Sequence, residues 1–148
     1  MSQADREAFL ADPHVGVIGI ERSGRPPLTV PIWYAYEPGG DLWIMIESDS
    51  LKERLLRQAE RFSLCVQNES PPYRFVSVAG PVISFRPSDK EREERFMARR
   101  YLGEKISDAY IELSKADPSN RPGVIVTMRP ETWFASDMSQ QFVSSADR

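Results

Sequence analysis

Residues 42–82 read LWIMIESDSLKERLLRQAERFSLCVQNESPPYRFVSVAGPV, and this stretch decides the fold. An apolar run, Leu42 to Ile46, has strand character and ends in a polar knot, Glu47-Ser48-Asp49-Ser50. A helix pattern follows, with Leu51, Leu55, Leu56 and Ala59 on one face and Arg54, Arg57 and Glu60 off it. The leucines are read as core. A second strand runs from Phe62 to Gln67, a proline loop covers Asn68 to Pro72, and a long strand starts at Tyr73. Ser50 lies three residues before Glu53, the spacing of a capping box at a helix start. Lys52 then falls in the first helical turn, where the helix already carries partial positive charge. Free amides, serine hydroxyls and a lysine converge on one spot that fits an anion such as a phosphate. A second reading stays open, in which Glu47 and Asp49 neutralise Lys52 and nothing binds.

The chain has 148 residues, a length that predicts one domain over 1–148 able to bury roughly 70% of its unfolded surface. With 41% hydrophobic and 28% charged residues it has the balance of a soluble globular protein. A net charge of −3 argues against a nucleic-acid partner held by phosphate neutralisation. No apolar run approaches the ~20 residues of a membrane span, and MSQADREAFL reads as neither signal nor transit peptide. The expectation is a cytoplasmic protein. Cys65 is the single cysteine, so no internal disulfide forms, and in FSLCV it is read as a buried small residue. His14 is the single histidine, read as a turn residue, and no metal site is expected.

Outward from the central stretch, Ala4 to Ala11 predicts a helix with Phe9 and Leu10 inward, ended by Pro13. Val15 to Glu21 predicts a strand whose Gly16 and Gly19 mark a bulge or a close backbone approach. After a turn at 22–25, Leu28 to Tyr36 returns antiparallel, with Pro31 marking an edge or bulge. Tyr73 to Arg86 is one long strand, bent at Gly80-Pro81 as a barrel corner requires. Ser88-Asp89-Lys90-Glu91 reads as a second capping box, opening a helix to Leu102 with Phe96, Met97 and Tyr101 inward. The run KEREER reads as a solvated face. Ile106 to Leu113 is a further helix, Val124 to Met128 the last strand, and residues 131–134 an extension of it. The polar tail from Ser136 is expected to be mobile. About six antiparallel strands, with one crossover helix and two helices before the last strand, hide their edges most economically by closing into a barrel.

Four pieces in this order and spacing carry a resemblance: FLADPHVGVIGIERSGRP (9–26), PIWY (31–34), residues 42–66, and YRFVSVAGPV (73–82). Together they resemble the pyridoxamine 5′-phosphate oxidase-like superfamily of FMN-binding split β-barrels, closest to the short flavin- or deazaflavin-dependent members. The resemblance spans about Phe9 to Trp133. It implies a mainly β fold, a six-stranded split barrel with flanking helices. It also implies a homodimer with FMN or coenzyme F-420 at the interface, the choice between the two left open. The cofactor phosphate would sit near Ser48, Ser50 and Lys52, and the ring edge near Pro31, Ile32 and Trp33. Tyr73 and Arg74 would contact cofactor or substrate, Arg74 from the partner chain. True pyridoxamine phosphate oxidases carry an arginine-lysine doublet where this chain has Leu51-Lys52, and a glutamine where it has Phe75. Their C-terminal substrate-phosphate signature has no counterpart here. The implied activity is therefore hydride transfer between the bound cofactor and a small unsaturated substrate, not pyridoxamine phosphate oxidation.

For individual residues, two readings stand side by side. Trp33 and Tyr34 are adjacent on a strand and face opposite sides, so only one of them looks toward a cofactor. Core or dimer packing is the alternative for both. No catalytic acid–base pair is visible, and Tyr73 or solvent is the candidate proton source. The alternative function is a carrier of a flavin or other planar ligand without turnover.

Overall fold

The computed structural model describes residues 1–139. In chain order the elements are α1 (Gln3–Ala11), β1 (Gly16–Arg22), β2 (Arg25–Ile32), β3 (Tyr34–Tyr36), β4 (Leu42–Glu47), α2 (Leu51–Ala59), β5 (Arg61–Gln67) and β6 (Arg74–Pro87). A π-helical turn (Lys90–Glu94) then leads into α3 (Arg95–Leu102), followed by α4 (Glu104–Ala116), β7 (Gly123–Met128) and β8 (Thr132–Asp137). The strands follow the order β2-β1-β5-β6-β7-β4-β3, with β8 on β6, and every pairing is antiparallel. β2 and β3 are the two ends of this path, joined only through Trp33. The sheet thus curls until its ends meet covalently and not by a ladder, which is the expected split barrel.

β6 is the strand both halves share. Its first part pairs with β5 and β8, and from Val82 onward it pairs with β7. The corner sits at Gly80, where a Cβ would come within 1.8 Å of the Arg129 carbonyl oxygen. Only glycine admits that backbone approach. The core alternates as strand geometry requires: Ile18 and Ile20, Leu42 and Ile44, Leu64 and Val66, Val76 and Val78 all point inward. Phe9 and Leu10 of α1 and Leu55 and Leu56 of α2 join this core. A smaller layer lies outside the barrel, where Met97, Ala98 and Ile111 of the α3–α4 hairpin are buried along with Ile125 of β7.

Several expectations are corrected. The strands number eight because the run Leu28–Tyr36 breaks at Trp33, where the chain passes from one half-sheet to the other. Residues 132–137 form a separate strand on β6, not an extension of β7. Ser136 therefore belongs to a strand, while residues 140–148 of the expected tail lie outside the described residues. Cys65 is exposed, not buried, since Leu64 and Val66 point inward and its side chain must point out. Leu51 is 44% exposed because it is the first residue of α2, and burial of that face begins at the second turn. The second helix start is capped by Asp89, whose carboxylate accepts from the Arg92 amide at 2.9 Å, and not by Ser88. The π-helical turn adds a residue to the following phase, so Met97 and Ala98 point inward and Phe96 is turned out. Much of the charge run pairs locally, with Glu91 to Arg95 and Lys115, and Arg95 to Asp108. Among the described residues no helix is long and apolar enough to cross a membrane.

Candidate functional site

A cleft of about 490 Å³ opens between the end of β2, the ends of β4 and α2, and the α3–α4 hairpin. Pro31, Ile32 and Trp33 form one wall, Met45, Ile46 and Gly123 the floor, and Ala98, Tyr110 and Ser114 the helical side. Its polar groups are Glu47, Ser50, Lys52, Glu94, Asn120 and Arg121. Its size falls within the roughly 300–1,000 Å³ of small-molecule sites.

The knot after β4 builds the anion end. Asp49 adopts a left-handed conformation (φ 58°), which turns the chain sharply into α2 and which aspartate tolerates. Ser50 is the N-cap: its hydroxyl accepts from the Glu53 amide at 3.2 Å and donates to the Glu47 carbonyl at 2.7 Å. The reciprocal bond of the capping box is displaced by one residue, because the Glu53 carboxylate accepts from the Asp49 amide at 3.0 Å. Ser48 lies behind the knot, its amide donating to the Pro122 carbonyl at 2.9 Å. That bond ties the loop before β7 to the knot and brings Arg121 into the cleft. Arg121 Nη1 makes one long hydrogen bond, 3.4 Å to the Asp49 carbonyl.

Neither cation is neutralised. Among the described residues Lys52 and Arg121 take part in no ion pair within 4.0 Å, so Glu47 and Asp49 do not satisfy Lys52. Two unpaired cations and a helix start at one end of a cleft suit an anionic group.

The wall residues divide as strand geometry dictates. Tyr34 is buried, its hydroxyl donating to the Leu10 carbonyl at 2.6 Å, and burial holds its ionisation far above the usual tyrosine range. Trp33, at the break between β2 and β3, lines the cleft and stacks on Tyr101 with centroids 4.9 Å apart. Tyr101 is itself fixed, donating to the His14 carbonyl at 2.7 Å and accepting from the Tyr34 amide at 3.1 Å. Thus Trp33 presents a braced aromatic surface. His14 stacks on Phe9 and bonds the Phe9 carbonyl at 3.0 Å; burial lowers its pKa.

Of the residues singled out in the sequence, Pro31, Ile32, Trp33, Ser50 and Lys52 come together in this cleft, whereas Ser48, expected beside them, does not line it. Tyr73 and Arg74 lie elsewhere, at the start of β6. The Arg74 guanidinium sits 4.9 Å from the Phe9 ring centroid, and the Tyr73 carbonyl accepts from the Met138 amide. Asn68 bonds the Ser70 and Pro72 carbonyls and the Arg74 amide, holding the loop between β5 and β6. Sequence reasoning missed Arg121 and Glu94. The turn SNRPG before β7 is visible in the chain, but only the pairing of Glu47 with Gly123 places it beside the knot.

No family model matches the chain, and no curated protein matches it. Solved structures do. One titled F-420 reductase superposes with a TM-score of 0.67 at 21% identity, over 86% of this chain and 94% of its own. A conserved hypothetical protein from Mycobacterium tuberculosis gives 0.69 at 18% identity, over 95% and 88%. A putative pyridoxamine 5′-phosphate oxidase from Listeria innocua gives 0.61 at 17% identity, over 90% and 96%. This chain shares their fold. It is a split-barrel protein with an aromatic-walled cleft that ends in two cations without an ion pair among the described residues.

Proposed function

We propose that this chain is a flavin- or deazaflavin-dependent oxidoreductase. It would transfer a hydride between FMN or coenzyme F-420, bound in the cleft, and a small unsaturated substrate. The observation that carries this reading is the pairing of unneutralised Lys52 and Arg121 with the braced wall of Pro31, Ile32 and Trp33 in one cavity. The donor set fits a phosphate-bearing planar ring. Lys52, Arg121 and the Ser50 end of α2 would hold the anion, and Trp33 and Ile32 would supply apolar wall to the ring. When bound, the ring supplies the hydride chemistry. The chain anchors, orients and excludes water, and orientation alone is worth several kcal/mol, roughly 7–11 in well-ordered cases.

The reading includes a homodimer. Pro31, Val17, Cys65, Ser77 and Phe134 are successive cross-strand partners over β2, β1, β5, β6 and β8, so their side chains form one row on the outer face. Val17 is 44% and Phe134 72% exposed, and Cys65 is exposed as well. The row ends at Pro31, in the wall of the cleft. A second copy seated on it borders the cofactor. Tyr73, which is 49% exposed and two residues before Phe75 with its contact with Phe134, would border the partner copy, whereas the Arg74 guanidinium lies over Phe9 and would have to leave that ring to do so.

A carrier without turnover is favoured by the wall itself, since Pro31, Ile32 and Trp33 bear no group that exchanges a proton with a substrate. Side-by-side fluorescence titration with FMN and F-420 tests the cofactor reading, and failure of both to bind refutes it. Reoxidation of the reduced, bound cofactor by candidate acceptors separates enzyme from carrier.

A further inference from the structure

The helical side of the cleft carries one carboxylate that is held in place yet incompletely satisfied. Glu94 ends the π-helical turn, its amide donating to the Asp89 carbonyl at 3.1 Å in the wide i→i+5 pattern. Such turns are found often at functional sites. The Glu94 side chain is 17% exposed and lines the cleft. Oε2 accepts from the Ser88 hydroxyl at 3.0 Å. Oε1 has Lys90 Nζ as its nearest cation, at 3.9 Å, beyond hydrogen-bond reach. Lys52 and Arg121 share the cavity but form no ion pair with it.

The support behind Glu94 is built into the sheet. The Ser88 amide donates to the Gly123 carbonyl at 3.0 Å, and a Cβ on Gly123 would come within 2.4 Å of Ser88 Oγ. Glycine at 123 thus leaves room for the hydroxyl that orients the carboxylate. A surface glutamate in a solvated helix needs no such arrangement. Oε1 keeps solvent access in the cleft and accepts no hydrogen bond from the described residues, so a ligand N–H can take the place of water there.

We infer that Glu94 is a specificity-determining residue that selects, at its end of the cleft, ligands presenting a planar cationic nitrogen donor such as an amidine over their neutral isosteres. The inference rests on the reading of this cleft as the ligand site. The cleft is thereby polarised: an anion is held by Lys52 and Arg121, and an N–H group by Glu94.

The test is calorimetric titration of the full chain, with and without FMN, using benzamidine, benzamide and benzoate as probes. Benzamidine is expected to bind at least about tenfold more tightly than benzamide, its neutral isostere, the scale of one charged hydrogen bond, while benzoate, which Lys52 and Arg121 also attract, reports on the anion end. Glu94→Gln is expected to weaken benzamidine about tenfold while changing benzamide less than about threefold, a selectivity that general loosening of the fold would not produce. Ser88→Ala, which removes the hydroxyl that orients Glu94, is expected to reduce the preference for benzamidine over benzamide, and this decides the matter should Glu94→Gln fail to fold. Equal benzamidine affinity in wild type and Glu94→Gln, equal affinity of the wild type for benzamidine and benzamide, or an unchanged preference in Ser88→Ala overturns the inference. A chain that binds neither FMN nor F-420 but keeps a Glu94-dependent preference refutes only the cofactor reading. A chain that binds a cofactor but shows no preference refutes only this one.

Discussion

Replacing Lys52 and Arg121 by alanine, singly and together, probes the anion end of the cleft. Lys52 is half-buried and has no carboxylate partner among the described residues, so a bond from its ammonium to a bound phosphate competes with no ion pair there. A charge-assisted hydrogen bond of this kind is worth about 1.5–3 kcal/mol, so Lys52→Ala should raise Kd by about 10–150-fold. Arg121 is exposed, and solvent screening reduces its share to about 0.5–1 kcal/mol, or about 2–5-fold. If both cations meet one phosphate, the double variant departs from additivity by about 0.5 kcal/mol or more. Fluorescence titration of FMN at low and high salt reads these numbers, and the salt dependence should weaken in each variant. Riboflavin, which lacks the phosphate, is the control, and its affinity should be little affected by either substitution. An unchanged FMN affinity in Lys52→Ala, or an equal loss for riboflavin and FMN, would falsify the placement of the phosphate.

Gly80→Ala sets a methyl group 1.8 Å from a backbone oxygen at the barrel corner and should cost about 3 kcal/mol or more in urea unfolding; an unmoved midpoint refutes the corner. Tyr34→Phe leaves the Leu10 carbonyl without its donor and should cost about 1–3 kcal/mol, read from the same curves. Burial lowers the folded-state pKa of His14, so the unfolded chain binds the extra proton first, and stability should fall as pH drops below about 6.5. His14→Gln should remove that part of the slope, and the same slope in both chains would show that other groups cause it. If two copies pair through the proposed outer face, Phe134→Glu should shift the protein from dimer to monomer in sedimentation and speed thiol labelling of Cys65; a wild type that is already monomeric refutes the outer-face dimer.

Much of the strand pattern was legible because it is a local property. Alternation in 42–46, 62–67 and 76–78, the glycine at 80, the serine cap at 50 and the proline stop after α1 each follow from a few neighbouring residues. The break at Trp33 was not legible. Residues 28–36 read as one strand marked only by an edge or bulge at Pro31, and the two half-sheets competing for that run decide that it divides at Trp33. Cys65 shows the same limit, since an apolar run does not reveal which of its two faces is inward until the sheet curls.

The wall at Pro31, Ile32 and Trp33 came from the family resemblance, whereas the antiparallel strand pattern and the helix start with Ser50 and Lys52 came from the chain's own residues. The latter depend on backbone propensity and side-chain period, which short segments carry within themselves. Only the folded structure brought Arg121 and Glu94 to that wall. Strand pairing of β4 with β7 and the phase shift of a single π-helical turn placed them there. Both are long-range or cooperative effects, set by which surfaces meet and not by the residues adjacent in sequence.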